Sequence, residues 1–152
     1  PPHTHTHSNC LLDSYGTMFL ADFGISVVAR QTVGHYTAVS GVNGTFEYMA
    51  PEMLQEQARL TAAVDIWAAA CSILEMVTGQ PPFAGRQLQH IVVALTVRHE
   101  HPSLDSPLVS PSLRDFLAQC FQVNPAARPS PVQALATLRG LLPNVAPGGL
   151  RP

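Results

Sequence analysis

The amino-acid sequence predicts a mainly α-helical fold with one small β-hairpin and one long loop near its start. Three observations support this fold class: an almost wholly apolar stretch over residues 62–78, helical periodicity in the C-terminal half, and two short apolar runs around a turn. A length of 152 residues suits a single domain with one core.

The composition supplies ample core material and narrows the choice of partners. Hydrophobic residues make up 46% of the chain and charged residues 12%, against roughly 25% in ordinary soluble domains, so apolar surface remains for a partner or a missing lobe. The net charge of -2 offers no basic surface, and no stretch approaches the ~20 apolar residues that span a bilayer. We therefore expect neither nucleic acid nor membrane as a partner.

Three residue types carry further information. All eight basic residues are arginines, so the chain itself supplies no phosphate-binding lysine. The histidines at positions 3, 5 and 7 would share a face of an extended segment and could bind a metal, but a low-complexity terminus or a misjoined exon is the favoured interpretation. The cysteines match neither a disulfide framework nor a zinc site, and they favour a reducing, cytoplasmic compartment (Cys10, Cys71 and Cys120).

The first fifty residues predict a hairpin followed by a long loop. Apolar runs at 10–12 and 18–20 flank a turn at 13–16, which is typical of a hairpin. From Gly24 to Met49 the chain is rich in Thr, Ser, Gly and Val and has no helical period. A loop of this length inside a domain is usually functional.

Two helices are predicted in the middle of the chain. Residues 62–78 are apolar nearly all the way round, and a helix without a polar face belongs in the centre of a domain. Gly79 followed by Pro81 ends this helix. A second helix is predicted over 86–97.

Two further helices follow, and each has a predicted cap. The third carries apolar residues at helical spacing and is capped by Ser112 with Asp115 (Leu113, Phe116, Leu117, Cys120 and Phe121). The fourth begins with a capping box of Ser130 and Gln133, with a proline at its first turn. Its predicted apolar stripe contains four residues (Val132, Leu135, Leu138 and Leu142).

Four motifs occur in a fixed order along the chain. Asp-Phe-Gly at 22–24 follows the second strand, and an aspartate there can hold a divalent metal against nucleotide phosphates. Ala-Pro-Glu at 50–52 closes the loop, Asp-Ile-Trp at 65–67 lies in the apolar helix, and Arg128 stands in Asn-Pro-Ala-Ala-Arg-Pro at 124–129. This set resembles the protein kinase family, in which such motifs delimit the activation segment and the helical core.

The resemblance implies a protein kinase-like C-lobe that starts at the catalytic loop, with a long activation segment and the N-lobe absent. On this basis residues 1–142 form a partial kinase domain, and 143–152 form a disordered tail. The segments 44–52 and 112–129 are most similar to the MAP kinase kinase kinase branch, which is of Ser/Thr type. Such a kinase in full-length form transfers the γ-phosphoryl of ATP to protein hydroxyls with Mg²⁺, and its partners are protein substrates or signalling proteins.

One departure from the family bears on activity. Aligning Asn9 with the asparagine of the family's catalytic loop puts Pro-His-Thr at 2–4 where His-Arg-Asp is expected, so Thr4 stands at the catalytic aspartate position. Threonine cannot accept a proton as a carboxylate does, and a lost general base costs ~10²–10⁴-fold in rate. We expect the chain as given to be inactive and to bind neither ATP nor Mg²⁺. The alternative is a pseudokinase-type module that binds proteins without catalysis.

The resemblance assigns roles to other residues. Asn9 and Asp22 would hold Mg²⁺, and Thr45 would face the catalytic position as an accessory residue. Thr37 and Ser40 are candidates for phosphorylation in the activation segment, and ordinary loop residues are the alternative.

Three residues have predicted structural roles. Glu52 and Arg128 resemble the family's buried ion pair, with two surface charges as the alternative. Asp65 lies in an apolar helix and would accept hydrogen bonds from the catalytic loop, an assignment that the altered loop puts in question.

Overall fold

The structure, a computed structural model, describes residues 10–15, 18–21, 46–55 and 61–141. It begins with two short antiparallel strands, β1 (Cys10–Leu12) and β2 (Met18–Leu20), in which Cys10 pairs with Leu20. The backbone N–H of Tyr15 donates to the carboxylate of Asp13 at 2.9 Å and so closes the turn locally.

Four α-helices make the described part of the chain mostly helical, as the sequence predicts. They are α1 (Ala63–Thr78), α2 (Leu88–Thr96), α3 (Pro111–Cys120) and α4 (Pro131–Leu141). Three short 3₁₀ helices accompany them (Phe46–Tyr48, Pro51–Leu54 and Pro125–Ala127). None of the helices in these ranges is long and apolar enough to cross a membrane.

Helix α1 confirms the helix predicted over 62–78. Gly79 ends it in the left-handed conformation, with φ of 69°, and its N–H donates to the Glu75 carbonyl at 2.7 Å. One side of α1 is buried, whereas Met76 on another side is 56% exposed. Helix α1 is therefore buried against the core along one face only, and not on all sides.

Helix α3 starts earlier than predicted. Its N-cap is Ser110, whose hydroxyl accepts a hydrogen bond from the Leu113 N–H at 3.4 Å, and Pro111 occupies the first turn. Proline fixes the φ angle that the first helical residue needs, so the helix begins there and the predicted cap at Ser112 is wrong. The predicted apolar pattern is confirmed, because Phe116, Leu117, Cys120 and Phe121 are buried.

Helix α4 has the predicted capping box but buries a different face. The Gln133 side-chain oxygen accepts from the Ser130 N–H at 2.8 Å. Val132 and Leu135 are 78% and 50% exposed, so the predicted stripe is wrong at these positions. Leu138 packs on the core as predicted, together with Ala134 and Leu141 at the spacing i, i+4, i+7, and Leu142 lies outside the described residues.

The core is built around Trp67 of α1. Its ring makes an edge-on contact with Phe121 at 5.0 Å between centroids, and the ring of Phe121 stacks on His101 at 5.7 Å. Side chains from all four helices and from the segments between them contribute to the cluster, so the helices share one interior. Most of the predicted loop over 24–49, residues 1–8 and the tail at 143–152 lie outside the described residues.

Candidate functional site

The site centres on an ion pair between two segments that are 76 residues apart in the chain. The Arg128 guanidinium donates from Nη1 to Glu52 Oε1 at 2.7 Å and from Nη2 to Glu52 Oε2 at 2.8 Å. The Arg128 side chain is 0% exposed and that of Glu52 is 8% exposed. The structure thus brings the two predicted residues together as a buried, two-point pair.

Local sequence positions both members of the pair. Glu52 lies in the 3₁₀ helix that Pro51 opens, and Arg128 directly follows the 3₁₀ helix of 125–127. The Asn124 side chain accepts from the Ala126 N–H at 3.0 Å and fixes that turn. Both charges are therefore held by short, proline-initiated turns that restrict the backbone before the side chains meet.

The remaining contacts of Arg128 join further segments. Its Nε donates to the Gln122 carbonyl at 2.8 Å, and its Nη1 also donates to the Ala63 carbonyl at the start of α1 at 2.8 Å. The guanidinium carbon lies 5.0 Å from the centroid of the Trp67 ring. One arginine thus connects the 50–52 motif, the start of α1, the end of α3 and the core tryptophan, and its buried charge is well satisfied.

A second polar cluster involves the 46–55 segment, which also carries Glu52. The Tyr48 hydroxyl donates to the carboxylate of Glu75, which lies near the C-terminal end of α1 and is 5% exposed. Burial, and then the hydrogen bond with Glu75, raise the pKa of Tyr48, while burial and the nearby charge of Glu75 raise the pKa of Glu47. Sequence reasoning missed this cluster because the contact joins two elements and leaves no periodic signal.

The cysteines near the ion pair are buried thiols. Burial raises the pKa of Cys71 far above its usual range and raises the pKa of Cys120 to about 11. Neither thiol is ionised at neutral pH, so neither serves as a nucleophile. None of the three cysteines forms a disulfide.

The predicted partners of Asp65 in the catalytic loop lie outside the described residues, so its role as their hydrogen-bond acceptor stays a prediction. Asp65 lies in the first turn of α1, and its side chain is exposed rather than enclosed by apolar residues. An acidic residue at this end of a helix is favourable because it faces the positive end of the helix dipole.

The other predicted site residues lie outside the described residues (Thr4, Asn9, Asp22, Thr37, Ser40 and Thr45). Within the described ranges no group of three or more metal-ligating side chains occurs. Cys10 faces Leu20 across the β ribbon, so the chain enters β1 and leaves β2 at the same end. Asn9 immediately precedes β1 and Asp22 follows closely after β2, and their oxygen donors are of the type that Mg²⁺ prefers.

Comparison with known proteins identifies the class. Residues 6–138 match the family model of the protein kinase domain, and the chain therefore belongs to the protein kinase family. It is 36% identical over 129 residues to Mitogen-activated protein kinase kinase kinase 5 of Arabidopsis thaliana, a match that covers 81% of this chain and 17% of the relative.

Two other relatives extend the comparison. The chain is 34% identical to Mitogen-activated protein kinase kinase kinase YODA of Arabidopsis thaliana, over 90% of this chain and 15% of the relative. It is 39% identical to Cytokinesis protein sepH of Aspergillus terreus, over 81% of this chain and 9% of the relative. The predicted resemblance to the MAP kinase kinase kinases is confirmed, and the chain spans less than a fifth of each of these relatives.

Proposed function

We propose that residues 1–142 form the helical part of a Ser/Thr protein kinase domain of the MAP kinase kinase kinase type, and that 143–152 form a disordered tail. In full-length form this kinase transfers the γ-phosphoryl of ATP to hydroxyls of protein substrates. The observation that carries the proposal is the buried pair of Glu52 and Arg128, because it fixes the end of the Ala-Pro-Glu motif to the helical core. That anchor is what a substrate-binding activation segment requires at its C-terminal end.

In the full-length kinase, residues of this chain would bind Mg²⁺, orient the substrate hydroxyl and switch the conformation of the activation segment. The oxygen donors of Asn9 and Asp22 would hold Mg²⁺, which when bound offsets negative charge on the nucleotide phosphates. Thr45 would orient the substrate hydroxyl from the activation segment. Phosphorylation of Thr37 or Ser40 would add about −1.5 to −2 charges to that segment and thereby switch its conformation.

The chain as given is proposed to be inactive. Thr4 at the catalytic aspartate position carries no carboxylate to accept the substrate proton, and the 152 residues contain no lysine to pair with the phosphates. Because the 152 residues supply no lysine to pair with the phosphates, we propose that the chain as given binds neither ATP nor Mg²⁺ appreciably.

Radiolabelled phosphate transfer tests this proposal. The 152-residue chain, MgCl₂, γ-labelled ATP and myelin basic protein should give only background incorporation, with an active Ser/Thr kinase as the positive control. Incorporation that disappears in the Asp22→Ala variant would contradict the proposed inactivity. Transcript sequencing on the N-terminal side tests the kinase assignment itself: a strand-borne lysine and an intact His-Arg-Asp in another transcript would support it.

The second candidate is a pseudokinase-type module that binds protein partners. Thr4 favours it, and so do the exposed apolar side chains of Val132 and Leu135 on α4. Transcripts that all retain threonine at position 4 would favour this function over phosphoryl transfer.

The cellular setting follows from composition. Three cysteines without a disulfide support a reducing, cytoplasmic location. The net charge of -2 supports protein substrates or signalling proteins as partners, rather than nucleic acid or membrane.

A further inference from the structure

A cavity of about 330 Å³ lies beside α2, and neither Glu52 nor Arg128 lines it. Its lining is mostly basic: Arg86 precedes the helix, His90 and Val93 lie on it, and Arg98 follows it. No motif in the sequence points to this group, because its members are separated by apolar residues.

The chain reverses direction after α2, and this reversal brings the residues around the cavity close together. The Arg98 N–H donates to the Val93 carbonyl at 3.1 Å, and the next residue, His99, adopts a left-handed conformation with φ of 54°. The Glu100 N–H then donates to the Ala94 carbonyl at 2.8 Å, so the chain returns along the helix. A non-glycine residue with positive φ is uncommon, and here it places Glu100 beside the basic side chains.

Glu100 bridges the two arginines. Its Oε2 accepts from Arg86 Nη1 at 2.8 Å, and its Oε1 lies 3.7 Å from Arg98 Nη1. The Arg86 guanidinium also lies over the ring of Phe83 at 5.6 Å from its centroid, which restricts it further. The two guanidiniums are therefore already arranged to hold the two oxygens of one oxyanion.

The cluster keeps binding capacity beyond Glu100. Two arginines and one glutamate leave a formal charge of +1 with His90 neutral. Each guanidinium has about five N–H donors, of which the contact with Glu100 uses one, and the two arginine side chains are 46% and 66% exposed. An incoming anion thus finds several free donors within one cavity.

We propose that this cavity binds a phosphoserine or phosphothreonine side chain of a partner protein. A carboxylate of a partner gains little here, because Glu100 already supplies one at high effective concentration. A phosphate carries about −1.5 to −2 charges and three acceptor oxygens, so it can bind both guanidiniums and His90 together. Val93, which is 40% exposed, offers an apolar contact to a neighbouring residue of the partner. This binding does not depend on the proposed phosphoryl transfer.

Fluorescence anisotropy with the 152-residue chain tests the proposal. The probes are three fluorescein-labelled peptide libraries with degenerate flanks and a central phosphoserine, serine or glutamate. The phosphoserine library should bind saturably and at least about tenfold more tightly than the other two. Arg86→Gln and Arg98→Gln should each weaken its binding about tenfold, and Glu100→Gln should strengthen it several-fold by removing the internal carboxylate.

A second exposed ion pair provides matched controls. Nη1 of Arg114, on α3, lies 3.2 Å from Oδ1 of Asp105. Arg114→Gln changes the net charge as Arg98→Gln does, and Asp105→Asn changes it as Glu100→Gln does, but neither Arg114 nor Asp105 lines the cavity. Both should leave binding unchanged within about twofold. Melting temperatures of all variants check the fold, and Arg98→Gln is decisive if Arg86→Gln unfolds, because Arg98 contributes little buried surface.

Several results would overturn the proposal. Equal binding of the serine and phosphoserine libraries would exclude phosphate recognition. If Arg114→Gln and Arg98→Gln weakened binding of the phosphoserine library equally, the effect would be due to net charge alone and not to the cavity. Binding of a single-stranded oligonucleotide as tight as that of the phosphoserine library, or full competition by equimolar inorganic phosphate, would exclude a protein segment as the preferred source of the phosphate.

Discussion

Tyr48 donates its hydroxyl hydrogen to Glu75, 27 residues further along the chain, and so joins the segment before the Ala-Pro-Glu motif to the C-terminal end of α1. Glu75 is buried, and a buried carboxylate is stable only when hydrogen-bond donors compensate for its lost hydration. The segment 46–55 is therefore fixed at two points, by Tyr48 to α1 and by Glu52 to Arg128.

Removing the Tyr48 hydroxyl should destabilise the domain. Tyr48→Phe deletes a donor to a buried carboxylate, and we expect the free energy of unfolding to fall by about 1.5–3 kcal/mol in urea titrations. Tyr15→Phe is the matched control, because Tyr15 is 88% exposed, and it should change stability by less than about 0.5 kcal/mol. Equal effects of the two substitutions would contradict a role for the contact with Glu75.

Glu47 and Glu100 should contribute with opposite signs to the pH dependence of the protein's stability. Burial and Glu75 raise the pKa of Glu47, so its contribution to stability is present below pH 4.5 and lost as pH rises through the raised pKa. The hydrogen bond with Arg86 lowers the pKa of Glu100, so its contribution is present above pH 4.5 and lost as pH falls through the lowered pKa.

Glu47→Gln should therefore stabilise the protein at pH 7, and Glu100→Gln should destabilise it slightly there. The difference at Glu47 should shrink as pH falls through its raised pKa, and the difference at Glu100 should shrink only as pH falls below 4.5 through its lowered pKa. Melting temperatures between pH 3.5 and pH 7 measure the effect. A stabilisation by Glu47→Gln that is the same at both ends of this range would show that the change acts through packing and not through ionisation.

The start of α3 can be tested with two neighbouring serines. Ser110→Ala should cost about 0.5–2 kcal/mol, because the Leu113 N–H loses its hydrogen bond with the capping hydroxyl. Ser112→Ala, inside the first turn and exposed, should be neutral or slightly stabilising, since alanine has the higher helix propensity. Urea denaturation distinguishes them, and a larger loss at Ser112 would move the cap to the residue that the sequence pattern indicated.

Sequence patterns predicted the positions of the helices better than they predicted which helix faces are buried. All four helices were predicted to within a few residues, from continuous apolar sequence in the first, apolar periodicity in the third and a capping box in the fourth, because burial and capping both leave local signals in the chain. The apolar stripe of α4 was wrong at Val132 and Leu135, which are exposed, because the small Ala134 packs on the core in their place.

Contacts between distant segments were predictable only where a motif marked them. Glu52 and Arg128 were marked by the kinase resemblance, and the structure places them in contact. Tyr48 with Glu75, and the arginines beside α2, were missed because such contacts depend on how turns fold back in space, as at His99. Periodicity carries no information about these reversals.

The most direct test of the kinase-type organisation is a double-mutant cycle on Glu52 and Arg128. Glu52→Gln and Arg128→Met should each lower the free energy of unfolding by ~3–5 kcal/mol, because each leaves the other charge buried without its partner. The double variant should lose far less than the sum, whereas the exposed pair of Arg114 and Asp105 should show coupling of about 1 kcal/mol or less. Strong coupling at Glu52 and Arg128 is the predicted result, and simple additivity in urea would contradict the anchoring of the Ala-Pro-Glu motif to the helical core.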